Sequence, residues 1–347
     1  MRIHLFLFAL FISVSATGQE DTGSGGISKK GEYNPEFVKL FEDSLVLRVF
    51  TIQKINSLLI NDSTGNNQLT LKPNENTNLG FGFNYRWLGL NVAFNFPFIN
   101  NDNDTYGSSN SFNFLLYAYP RKFGVNIFFQ RIQGYYVENL STYNKSWDQN
   151  AFYKRPDIKT GAVGGSFFYI FNYKKYSYRS VFVQNEVQLK SAGSFFLGAN
   201  ISSIGISGDS SIVPESAKHN FDSSTHILKS NYLELGIQGG YTANIIFLKH
   251  LFLNFTLTPG FSLQGGTINT EDPRYNDKDK QGISPSFRAS FALGYNKDKW
   301  YLALNSAISS LSLGKSLVYQ YGRVLLVFAY RLRPPKFAQN LIPKSPF

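Results

Sequence analysis

The sequence predicts an all-β fold: an antiparallel transmembrane β-barrel of about twelve strands, with ten and fourteen left open, behind an N-terminal signal peptide. Three observations carry that reading. Segments of about ten residues recur in which large apolar side chains alternate with Gly, Ser, Asn or Thr, the period of a strand with one face toward lipid. Short turns alternate with longer loops along the chain, as an up-and-down barrel requires when turns face the periplasm and loops face outward. Beyond the N-terminus no run of eighteen or more apolar residues occurs, so no helical crossing is expected.

Residues 1–18 read as a signal peptide. Arg2 supplies the charge, Leu5 to Ile12 the apolar core, and Ala16-Thr17-Gly18 a small-residue cleavage site, with the cut between Gly18 and Gln19. Residues 19–44 form a periplasmic lead-in, in which Asn34-Pro35 can start a short helix through Phe37, Leu40 and Phe41. The barrel is expected over 45–332, its first strand within 45–60. The next hairpin sets the pattern: Leu79, Phe81, Phe83, Tyr85 and Trp87 alternate with Gly80, Gly82, Asn84 and Arg86. A turn at Trp87-Leu88-Gly89 leads to Leu90, Val92, Phe94, Phe96 and Phe98 on one face, so the pair covers 78–87 and 89–98.

Further strands fall near 110–119, 122–133, 160–171, 176–189, 194–206, 231–243, 250–263, 285–296, 299–310 and 319–332. That makes one candidate too many, because a barrel with both ends in the periplasm needs an even number. The alternation of turn and loop breaks only between Ile158 and Ile206, so one of 160–171 and 176–189 does not belong to the wall. Trp87, Tyr117, Tyr119, Phe123, Tyr295 and Trp300 lie beside the short turns, where an interfacial aromatic girdle is expected. Arg333-Pro334-Pro335 stops the last strand, and 333–347 is read as a periplasmic tail.

Composition narrows the chemistry. The chain has no Cys, so disulfides and thiolate catalysis are excluded. Its formal charge is +11, yet the long outer loops are slightly acidic, so the basic excess is dispersed over strands, turns and tails. Dispersed charge does not make the single basic face of a nucleic-acid binder. No Gly-x-Ser-x-Gly elbow, phosphate-binding loop or metalloprotease His pair occurs. No catalytic residue, metal ligand or cofactor is therefore assigned. His219, His226 and Asp222 share a loop, and Asp102-Asn103-Asp104 has the spacing of calcium-loop oxygens without a full ligand set.

The residues singled out are basic and on the small, polar face. Arg86 and Arg288 fall there, with Arg48 and Arg323 as further candidates, and rings of Arg or Lys select anions in pores. The plainer alternative is that each pairs with a carboxylate such as Glu234 inside a packed lumen. Arg121, Lys122, Lys174, Lys175, Lys249, Lys297 and Lys299 cluster at the periplasmic turns, where lipid phosphate or a periplasmic protein can meet them.

Three stretches together resemble one family. They are Asn84-Tyr85-Arg86-Trp87-Leu88-Gly89-Leu90, then Phe171-Asn172 with Tyr176-Ser177-Tyr178-Arg179, and the segment from Gln188-Leu189-Lys190-Ser191-Ala192-Gly193 to Gly198. This looks like the Bacteroidota exported proteins that carry the domain of unknown function numbered 4421. The resemblance implies an outer-membrane barrel over most of the mature chain, and it supplies no catalytic residue. The expected role is non-enzymatic: passage of small solutes or anions, or a structural or docking role at the envelope. A membrane-embedded lipid hydrolase or acyltransferase and a docking component of an export or gliding complex are the alternatives. The expected partners are outer-membrane lipid and lipopolysaccharide, the barrel-assembly machinery and a periplasmic protein.

Overall fold

Strand alternation closes the chain into a ring. The computed structural model describes residues 33–41, 43–75, 77–95, 102–148 and 152–334, and the positions Gly18 and Gln19 and the tail after Pro334 lie outside them. Among the described residues the wall consists of β1 (Leu45–Asn61), β2 (Asn78–Tyr85), β3 (Leu88–Asn95) and β4 (Asn110–Ala118). It continues through β5 (Phe123–Val137), β6 (Tyr153–Ile170), β7 (Ala192–Ser207) and β8 (Ile227–Phe247). β9 (Leu251–Thr270), β10 (Asp277–Asn296), β11 (Trp300–Leu313) and β12 (Leu317–Leu332) complete it. Each strand pairs antiparallel with the next, and β12 returns to β1 from Leu317↔Ile60 to Leu332↔Leu45, which closes the twelve-stranded ring.

Parity decides which side chains meet lipid. On β8 Leu233, Leu235, Ile237, Tyr241, Ile245 and Phe247 point out and are exposed, while Tyr232, Glu234, Gln238, Thr242 and Asn244 point in and are buried. On β12 Leu326, Phe328, Tyr330 and Leu332 point out, and Val327, Ala329 and Arg331 point in. An apolar belt around a closed barrel is the surface a bilayer covers, and the architecture is that of an outer-membrane β-barrel. The tight corners gather at one end together with both ends of the wall. At one of them, the three-residue corner Leu248-Lys249-His250 between Phe247 and Leu251, Leu248 and Lys249 have φ 48 and 67 and so turn the chain through the left-handed region.

The disputed segment is not wall. β6 runs through Ile170, whereas 171–191 leaves the ring and folds into the barrel from the short-turn end. It carries a helical turn, Arg179–Phe182, and a short strand, Glu186–Gln188, which pairs with Val38–Leu40 of the lead-in. The lead-in helix is accordingly not formed. Its backbone groups are taken by that partner strand, with Phe41 N–H donating to Asn185 O at 2.9 Å and Leu189 N–H to Phe37 O at 2.7 Å.

Tyr117 and Tyr119 also leave the expected girdle. Tyr117 faces inward with the odd-numbered residues of β4, Tyr119 follows at the corner beyond it, and both rings are buried, while Tyr295 and Trp300 remain outside and stack at 4.6 Å. The first corner comes one residue earlier than expected, at Arg86-Trp87, so that Arg86 is a turn residue with φ 56.

The loop end is closed as well. β8 has 21 residues and β9 and β10 have 20 each, longer than a bilayer crossing needs, so these strands project beyond the belt. Their inward face turns apolar there. Leu58, Ile60, Ile132, Ile158, Ile204 and Ile206 pack with Leu69 and Leu71 of a short strand, Gln68–Lys72, and with Ile212, Val213, Ala217 and Phe221 of the 208–226 loop. This cap is a core of the soluble kind, seated in the barrel mouth.

Candidate functional site: a basic chamber between plug and cap

The plug is centred on Glu186. Its carboxylate is fully buried and lies 2.8 Å from Arg121 Nη1 and 3.3 Å from Arg179 Nη1, with Ser177 Oγ donating to it at 2.5 Å. Burial alone raises such a group, but the guanidiniums of Arg121 and Arg179 and the Ser177 hydroxyl hold its pKa below the ordinary carboxylate value. Wall residues fix the rest of the plug. Arg48 Nη1 donates to Gln184 Oε1 at 3.0 Å, Arg331 Nε to Gln184 O at 2.6 Å, and Tyr301 OH to Val181 O at 3.1 Å. Asn244 Nδ2 donates to Ser177 O at 3.1 Å, and the Tyr176 and Thr242 hydroxyls lie 2.6 Å apart. Strands on all sides of the ring thus grip one stopper.

Between plug and cap, the inner face of β10, β12 and β1 carries three cations. Register sets Arg323 opposite Lys54, and sets Arg288 opposite Ser309, whose other neighbour is Tyr321. Arg288 is half-buried; its Nε donates to Ser309 Oγ at 3.1 Å and its Nη2 to Tyr321 OH at 3.0 Å. Arg323 points inward by parity and is nevertheless exposed, so it looks onto open space within the barrel. Among the described residues it has no hydrogen-bond or ion-pair partner. Tyr119, at the corner after β4, and Tyr178 of the plug lie within electrostatic reach of both guanidiniums. Lys54 Nζ donates to Ser111 Oγ at 3.1 Å.

The nearby carboxylates do not neutralise this set. Glu234 accepts from Asn200 Nδ2 at 3.2 Å and Ser202 Oγ at 2.9 Å, and forms no ion pair with either arginine. Glu75, in the loop between β1 and β2, accepts from Asn56 N–H at 3.1 Å and Asn56 Nδ2 at 2.5 Å. Burial pushes it up to about 7, against the opposing pull of the Asn56 hydrogen bonds and the Lys54 charge. Near neutral pH the chamber therefore keeps a net positive charge.

The wall beside it is split. β3 pairs with β4 only from Leu88↔Ala118 to Asn91↔Leu115, although β2 follows β3 to Asn95 and β5 follows β4 to Asn110. Beyond Asn91 the two strands part, and the inward-facing Ala93 and Asn113 are exposed. Val92, Phe94, Phe112 and Phe114 form the outer lips of the split, all exposed. Ser111 of β4 is the residue Lys54 reaches, so the opening stands next to the chamber's cations.

Arg86 and Arg288 are not brought together. Arg86 sits at the rim, its Nη2 3.3 Å from Asp43 Oδ1, and its carbonyl accepts from Arg179 Nη2 at 2.7 Å, so it joins lead-in, corner and plug. Lys54 and Glu75 belong to the chamber without having been singled out. Lys54 shares the parity of Arg48, Phe50 and Ile52, which was the available signal. The histidine loop assembles no triad: His226 Nδ1 lies 3.9 Å from Glu271 Oε2, and Asp222 accepts from Ser63 N–H at 2.7 Å. Asp102 Oδ1 accepts from Asn74 Nδ2 at 2.9 Å, and no cluster of three His, Asp or Glu fit for a metal occurs among the described residues.

The family described as "Domain of unknown function (DUF4421)" matches residues 28–331. No curated protein matches the sequence. Among solved structures, the outer membrane protease OmpT from Escherichia coli is similar at 9% identity and a TM-score of 0.35, over 85% of this chain and 98% of that one. The translocator domain of the autotransporter NalP from Neisseria meningitidis matches at 6% identity and a TM-score of 0.36, over 83% and 88%. The toluene transporter TodX from Pseudomonas putida matches at 6% and 0.28, over 83% and 89%. At such values no residue of theirs is placed on a residue of this chain.

Proposed function

Because the chain belongs to the DUF4421 family, whose description assigns no activity, we propose a function from the lumen itself: this is a non-enzymatic outer-membrane barrel that passes small organic anions through a basic chamber under the control of its plug. The observation that carries the reading is Arg323, a guanidinium inside a barrel with solvent around it and no carboxylate among the described residues paired to it, beside Arg288 and Lys54. Positive charge held in a lumen attracts anions and repels cations. The hydroxyls of Tyr119, Tyr178 and Tyr321 add neutral polar groups near the same guanidiniums. Access runs through the split between β3 and β4, whose apolar lips suit a solute with an organic body. Release toward the periplasm requires the plug to move. Export by residues 1–18 and a Bacteroidota source, supported by the three motif stretches, belong to the same reading.

Swelling of proteoliposomes tests it. An aromatic carboxylate should enter faster than a size-matched aromatic amine, and an Arg288→Gln/Arg323→Gln double variant should erase the difference. Equal rates for the two solutes in the wild-type protein would refute the reading.

A further inference from the structure

The outer face of the wall carries a second basic feature, unconnected with the chamber. Across β5, β6, β7 and β8 the outward row Phe129, Val163, Ser203 and Leu233 marks the loop-side border of the apolar belt. The next row is Arg131, Gly161, Gly205 and Asn231, and the one beyond it is Gln133, Lys159, Ser207 and Lys229. Two adjacent glycines thus leave the middle of a basic rim without side chains. The result is a hollow of about 230 Å³, lined by Arg131, Lys159, Lys229 and Asn231 with Phe129 at its lower edge. Gly161 is open on this side: a Cβ built there meets nothing within 4 Å. Arg131, Lys159 and Lys229 are exposed and form no ion pair or hydrogen bond among the described residues.

We propose that this hollow seats the phosphorylated headgroup of an outer-leaflet lipid. The placement commits the site to lipid over a free anion, because the cations stand immediately beyond the belt, at the height where headgroup phosphate meets the wall. The hydrocarbon of the same lipid then runs down over Phe129, Val163 and Leu233. Guanidinium and ammonium groups converging from three strands match a phosphate with several charged oxygens. The glycine floor lets that group approach the wall itself.

Native mass spectrometry of the full-length folded barrel tests the site, with diphosphoryl lipid A, the same lipid stripped of phosphate, and inorganic phosphate as probes. Wild-type protein should retain diphosphoryl lipid A, and an Arg131→Gln/Lys159→Gln/Lys229→Gln variant should retain at least about tenfold less. Gly161→Phe should give a comparable loss with all three charges intact, because it fills the hollow; heat-modifiable migration confirms that each variant is folded. Equal retention by wild type and the triple variant overturns the proposal, as does equal retention of the phosphate-free lipid. Gly161→Phe binding like wild type, or displacement of the lipid by inorganic phosphate at equal concentration, overturns the seat or its lipid occupant respectively.

Discussion

Glu186→Gln keeps the shape of the plug's central side chain and removes its charge, leaving Arg121 and Arg179 facing each other across a neutral amide. The site is fully buried, so little water can take over the role of the lost carboxylate. Breaking a buried ion pair by removing one partner costs about 3–5 kcal/mol. If that cost falls on the seated state of the plug, its unseated population rises by roughly two to three and a half decades, at about 1.4 kcal/mol per decade. The absence of native cysteine allows a clean reading: Val183, at 0% exposure in the plug, is replaced by Cys and its maleimide labelling followed. Labelling of Val183→Cys should be slow with Glu186 present and faster by roughly those two to three and a half decades in Glu186→Gln, when opening limits access. A labelling rate unchanged within about twofold, in a barrel that still migrates as folded, would show that Glu186 does not hold the stopper and would refute the reasoning.

Further outcomes follow from the same geometry. The pKa of Glu186 is depressed in the fold, so its stabilisation is present above the ordinary carboxylate pKa and is lost as pH falls through the folded value. Val183→Cys labelling, divided at each pH by that of a cysteine placed on an exposed loop to cancel the thiolate fraction, should therefore stay flat from about pH 8 to pH 5 and rise only in stronger acid. Glu75 behaves oppositely: raised from 4.5 to about 7, it binds its proton more tightly in the fold, so its burial destabilises increasingly as pH rises through 7. Glu75→Gln should stabilise the barrel to urea near pH 8 and leave it unchanged near pH 4. It should also flatten a wild-type anion preference that strengthens as pH falls from about 8 to 6. In the cap, Leu69→Ala removes a fully buried side chain and should cost about 2–5 kcal/mol, read from the denaturant midpoint; a cost below about 1 kcal/mol would mean the mouth is loosely packed.

The wall was legible because lipid imposes one rule along its whole height. Leu233 to Ile237 or Leu326 to Leu332 must alternate, and their partners in the register confirm the same parity. Residues 176–189 were not legible by that rule. Inside the barrel Tyr176, Val181, Val183 and Val187 are buried on every side, so the segment mixes apolar and polar residues much as a strand does without belonging to the sheet. The cap escaped notice for a related reason. Leu58 and Ile60 face inward where a polar lumen was expected, and the alternation fades there because Leu59 between them is apolar too, with Ser57 and Asn61 on the outer face beside it.

The site was half readable. Parity put Arg288 and Arg323 in the lumen, but a corner displaced by one residue carried Arg86 to the rim. Glu75 lies in a loop, and no sequence period says that a loop carboxylate folds back beside Lys54. Buried polar residues such as Asn84, Gln184 and Asn254 also look in sequence like solvated ones, which is why a filled lumen and an open one were indistinguishable before their partners were known.

The central claim, a stoppered lumen with a basic chamber, meets its most direct test in single-channel recording across a planar bilayer, with reversal potentials measured in a salt gradient. The wild-type barrel should be closed for most of the recording, Glu186→Gln should show frequent anion-selective openings, and adding Arg288→Gln and Arg323→Gln should abolish that selectivity while the openings persist. A steady wild-type conductance, or openings of Glu186→Gln that select cations, would contradict the account.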